Sequence, residues 1–148
     1  AAAKHEESLA LRKSMGDDWG SADTLVHLAE VARLMSRNRH ARGLLMEALR
    51  TAVDGEYQPV ILDALIELAT LSIQQGQSAL AQETLTAVLA HPAVNHYTHA
   101  KAERVLATMP GPAPRHDALS VTSNAWEATR MVQQLSRRYL ADGAIPSR

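Results

Sequence analysis

The sequence predicts an all-α fold: an α-solenoid of antiparallel helix pairs, followed by one further helix after a Pro-rich linker. Three observations predict it. The apolar content is mostly Leu, Ala and Val, with no Phe, two Trp and three Tyr in 148 residues. Ala and Leu are strong helix formers, whereas β-rich chains draw on aromatic and β-branched residues. Apolar residues also recur at helical spacing. Finally, the sequence repeats itself at an offset of 40: Asp23, Leu25, Leu28, Ala29, Ala41, Leu45 and Leu49 return as Asp63, Leu65, Leu68, Ala69, Ala81, Leu85 and Leu89. Apart from the Asp pair these are small or aliphatic residues, as core positions should be. The register runs back to Leu9 and Ala1 (against Leu49 and Ala41) and forward, weakly, to Val105 (against Leu65).

The elements follow in order. A first helix covers residues 1–15, and Gly16, Asp17 and Asp18 turn the chain. Leu25, Leu28, Ala29 and Ala32 carry a helix over 19–36, and Ala41, Leu44, Leu45, Ala48 and Leu49 carry another over 40–54. Between them Asn38 is expected to take the left-handed conformation that ends a helix. Asp54 and Gly55 turn the chain again. Pro59 suits the first turn of a helix over 59–75. Gly76 ends that helix, and Ser78 is expected to cap the next, over 78–90, which His91 and Pro92 stop. A sixth helix covers 96–108. The units thus lie near 1–18, 19–57, 58–93 and a truncated 94–109. Pro110, Pro112 and Pro114 exclude helix and make 110–117 a linker. The segment 118–148 holds a C-terminal capping or docking helix, near 124–141, in which Asn124 and Glu127 resemble a capping box; a frayed tail follows over 142–148.

Composition narrows the function. A net charge of −1 draws the chain to neither nucleic acid nor acidic lipid. With no cysteine there are no disulfides or thiolate metal sites, which fits a reducing, cytoplasmic setting. No apolar run approaches the roughly 20 residues that span a bilayer, so no membrane association is expected. The chain opens without Met, already in helical pattern, and reads as part of a longer protein.

The spacing Leu28, Ala29, Ala32, Ala41, Leu45, Ala48, with Leu68, Ala69, Ser72, Ala81, Leu85, Val88 in the second unit, resembles the tetratricopeptide repeat. Small residues at Ala29 and Ala41 let paired helices approach closely. Leu25 and Leu65 stand where the family often has Trp, and the period is 40 rather than the usual 34 or so. The stretches 6–20 (EESLALRKSMGDDWG), 47–52 (EALRTA) and 59–69 (PVILDALIELA) are similar to repeat junctions of large bacterial regulators. In those, a nucleotide-binding switch domain precedes a C-terminal tetratricopeptide array.

The resemblance implies a protein–protein interaction scaffold, without enzymatic activity or cofactor, that holds a peptide or helix in a concave groove. A small-ligand sensor using the same groove is the alternative. The family's groove positions fall on Asp23, Val26, Glu30 and Arg33, on Asp63, Ile66, Thr70 and Ile73, and on Glu103 and Leu106. Val26, Ile66 and Ile73 read either as an apolar docking stripe or as core between helices. The expected partner is a protein or peptide segment, which includes another domain of the parent protein. Trp126, Met131, Leu135 and Tyr139 lie partly on one face of the last helix, so that helix caps its own array or supports a homodimer.

Other motifs carry less. His91, His96 and His99, with Glu103 one turn on, fall short of a zinc ligand set and read as solvent-facing histidines near a turn. Arg33, Arg37, Arg39, His40 and Arg42 cluster, as do Arg130, Arg137 and Arg138. No aromatic residue interleaves the first run and Glu30 and Glu47 flank it, so a solvated turn is favoured over nucleic acid.

Overall fold

A computed structural model of the chain describes residues 2–109 and 125–144. They form seven α-helices and, among the described residues, no strand: α1 (Ala2–Ser14), α2 (Asp18–Leu34), α3 (Asn38–Asp54), α4 (Gln58–Gln74), α5 (Ser78–Ala90), α6 (His96–Ala107) and α7 (Ala125–Ala144). The linker expected over 110–117, the capping role expected of Asn124 and the last four residues fall outside the described residues. The last helix runs on through Asp142 to Ala144, past the point where fraying was expected.

The backbone repeats at half the period of the sequence. Helices α2, α3 and α4 are each 17 residues long and begin at Asp18, Asn38 and Gln58. The turns between the first five helices all place one residue in the left-handed region: Gly16 (φ 70°), Ser36 (60°), Glu56 (57°) and Gly76 (79°). At each, the residue after it donates its N–H to the carbonyl five positions back: Asp17 to Arg12, Arg37 to Ala32, Tyr57 to Ala52 and Gln77 to Ser72, at 2.8–2.9 Å. The left-handed residue itself donates to the carbonyl three back. This paired pattern satisfies the carbonyls a helix end would leave open.

Two expectations are corrected here. The left-handed residue of the second turn is Ser36, and Asn38 opens α3 as a helical residue. Asp54 and Gly55 do mark the third turn, where the left-handed residue is Glu56 and Gly55 sits at φ −88°. Ser78 is the first residue of α5 rather than its cap; Gln77 holds the cap position without a side-chain hydrogen bond. The hydrogen-bond pattern fixes the left-handed position two residues past each helix, whichever residue the sequence supplies. Asp17 does cap α2, accepting from the Gly20 N–H at 2.9 Å, and Pro59 lies in the first turn of α4. His91 stops α5 in an extended conformation, as the residue before a proline must.

Packing follows the repeat. Each of the first five helices packs on the next, α2 also packs on α4, and α4 on α6. Ala29, Ala41, Ala69 and Ala81 are fully buried, with Leu25, Leu45, Leu49, Leu65 and Leu85 around them. The alanines lie where helix axes must approach, and the leucines fill the space between. The last helix, α7, packs across α5 and α3 and touches α4. It buries Ala128, Val132, Leu135, Ser136 and Tyr139. Trp126, expected on that apolar face, instead lies 67% exposed under the Arg130 guanidinium, and Met131 is half-buried. The reason is angular: 128, 132, 135 and 139 keep one stripe, and 126 falls off it. The apolar face that a second copy would have needed is therefore covered by the chain's own α3 and α5.

Candidate functional site

Helices α2, α4 and α6 each contribute polar residues to one connected cluster. In α2, Asp23, His27 and Glu30 follow at one-turn spacing; in α4, Asp63, Glu67 and Thr70 occupy the same places. Position 67 is the centre. The Glu67 side chain is 1% exposed, with Arg33 Nε 2.8 Å from one carboxylate oxygen and Lys101 Nζ 2.9 Å from the other. Lys101 also lies 3.7 Å from Glu30. Thr98 donates from Oγ1 to Asp63 at 3.1 Å, and His27 Nε2 is 3.6 Å from Asp23. One carboxylate thus ties three helices together, because a buried charge without partners would carry a large desolvation penalty.

The protonation states follow from these contacts. The contact with His27 holds the Asp23 carboxyl below the usual carboxylate range, and its counterpart raises the His27 imidazole. Burial raises Asp63, with the hydrogen bond from Thr98 and the charge of Lys101 working against it. Burial also opposes the charge on Lys101, but Glu67, Glu30 and Asp63 together outweigh it and hold the ammonium above its ordinary value. On this face the carboxylates of Asp23, Glu30, Asp63 and Glu67 meet Arg33, Lys101 and the His27 imidazole, and the Arg12 charge also acts on Asp23.

The expected groove residues divide. Asp23, Glu30, Arg33 and Asp63 come together on this face, and Thr70 lies half-buried with its hydroxyl donated to the Ile66 carbonyl. Val26 and Ile66 do not line a surface: they are 3% and 0% exposed and belong to the core. Ile73 and Leu106 are half-buried and packed against that core. The apolar stripe is therefore largely inter-helix packing, because α2 and α4 contact each other along it. Glu103 is exposed and pairs with His99 at 3.2 Å.

Sequence reasoning missed His27, Glu67, Thr98 and Lys101. Glu67 had a signal: it is the one charge within the apolar run 64–69. Lys101 had none, because α6 begins 38 residues after α4 and so lies out of the 40-residue register.

The remaining clusters hold no ligand set. Among the described residues no three His, Asp or Glu are placed to share a metal ion. His91 is not solvent-facing: it is 3% exposed, accepts the Ala93 N–H at Nδ1, and burial lowers its pKa, so it is neutral. Arg33 leaves the basic run for Glu67, while Arg37, Arg39 and His40 stay exposed at the α2–α3 turn. No helix is long and apolar enough to cross a membrane, among the described residues. Comparison with protein-family models, curated proteins and solved structures found no match for this chain.

Proposed function

We propose that this chain is a protein-interaction scaffold, a tetratricopeptide-like array from the C-terminal region of a bacterial signalling or transcriptional regulator. It binds a peptide or helix along α2, α4 and α6 and catalyses no reaction. The observation that carries the reading is the polar cluster in which carboxylates of α2 and α4 meet Thr98 and Lys101 of α6. The Asp23 and Glu30 side chains are partly exposed beside an ion-paired centre, an arrangement that suits a cationic segment of a partner. The resemblance of the stretches 6–20, 47–52 and 59–69 to regulator repeats supports the parent-protein part.

Selection of random peptides against the full chain tests it. Enriched sequences should be rich in Lys and Arg. Asp23→Lys with Asp63→Lys should weaken their binding by about tenfold or more, equivalent to about 1.4 kcal/mol. No enrichment, or binders indifferent to both substitutions, would remove the reading.

One observation favours a small-ligand sensor as the second reading: a cavity of about 210 Å³ between α3, α4 and α7, lined by Val53, Ile61, Val132 and Ser136. A metabolite that raises the melting temperature alone, and less so after Ile61→Trp, would favour it.

A further inference from the structure

The groove between α3 and α5 already holds an amphipathic helix, and the fit of that helix is incomplete. Ala128, Val132, Leu135 and Tyr139 of α7 face the groove at intervals of four, three and four residues, each at most 3% exposed. Two polar contacts fasten it: Tyr139 Oη to Thr84 Oγ1 at 2.8 Å, and Arg138 to Glu83 at 3.6 Å. At the end nearer Val132 the seat is underfilled. The 210 Å³ cavity opens there among Val53, Ile61, Val132 and Ser136, with Glu56 and Arg137 also lining it. Glu83 of the array thus meets Arg138 of the helix, while Glu56 and Arg137 face the same cavity. In the sequence, 17 residues, 108–124, separate α6 from α7.

We propose that the seat formed by α3, α4 and α5 is a docking site for a basic amphipathic helix of a partner protein, and that α7 is its resident occupant. The seat accepts helices with small or β-branched, Leu and Tyr residues at the spacing of 128, 132, 135 and 139. A basic residue two positions after the place of Ser136 meets Glu83. α7 belongs to the same chain as its seat, so its docking is intramolecular. A partner helix of equal intrinsic affinity therefore loses to it. One that fits better displaces α7, and the cavity supplies the room: a larger apolar side chain at the place of Ser136 fills it. This site lies on other helix faces than the polar cluster and does not rest on the function proposed above.

The test uses the full chain and two labelled peptides, one with the sequence of residues 125–144 and one with Ser136→Leu in that sequence. The substituted peptide should bind at least about tenfold more tightly. Its binding should speed hydrogen exchange in residues 125–144 of the chain while α3, α4 and α5 stay protected. Tyr139→Phe in the chain should strengthen binding of both peptides, and Asp23→Lys should leave it unchanged. Absence of binding, equal binding of the two peptides, or binding that leaves α7 protected would overturn the proposal. So would exchange of α7 between two copies, seen as a dimer that grows with concentration, because the occupant would then be a second copy.

Discussion

Four residues, Gly16, Ser36, Glu56 and Gly76, hold the same left-handed place in successive turns, and only two of them are glycine. The left-handed region costs an L-residue about 1–2 kcal/mol because Cβ crowds the following carbonyl. Glu56→Gly should therefore stabilise the chain by about 0.5–1 kcal/mol, after allowance for the extra freedom of glycine in the unfolded state. Gly76→Ala should destabilise it by about 1 kcal/mol. A Cβ at Gly76 would meet nothing within 4 Å, so the whole effect is backbone conformation. Urea melts of both variants check this, and a destabilised Glu56→Gly would contradict it. Asp63 is the second residue-scale case. Burial raises its pKa above 3.8, so the unfolded chain releases that proton at lower pH than the folded one. Its ionisation therefore weakens the fold as pH rises through 3.8 to the raised value, and the penalty persists above it. Asp63→Asn can keep the acceptor for Thr98 and should raise the melting temperature at pH 7 but not at pH 3. An equal effect at both pH values would show that charge is not the cause.

Between helices, the recurring alanines set the distance of approach. Ala29 and Ala69 are 0% exposed, and Leu at either should overpack the contact and cost about 1–3 kcal/mol. Thermal melts that show no loss would place these positions away from the contact. Periodicity made the helices legible: all seven begin within two residues of where apolar spacing and turn residues put them. The apolar stripe was not legible in the same way. Val26 and Ile66 carry the same spacing whether they face a partner or a neighbouring helix, and burial alone separates the two. The stopping points were readable where covalent geometry acts, at Pro92 and Gly76. They were not at Ser36 and Glu56, where a hydrogen-bond pattern imposes the conformation on residues with no preference for it.

Across the whole molecule, Glu67 couples α2, α4 and α6 through Arg33 and Lys101. Lys101→Met would leave a buried carboxylate short of one cation and should cost about 3 kcal/mol or more. Adding Glu67→Gln should restore part of that, giving a coupling energy of about 1–3 kcal/mol in a double-mutant cycle. Additive effects would show that the two residues act independently. What the sequence by itself determined is the helical repeat: its 40-residue register, its buried alanines and leucines and nearly all its helices, since these depend on local spacing and local chemistry. Only the tertiary structure decided that Glu67 meets Lys101, that His91 is buried, and that α7 lies on α3 and α5. Each of these joins residues from separate helices, and their relative placement is set by how the helices pack, which the order of residues along one helix does not encode.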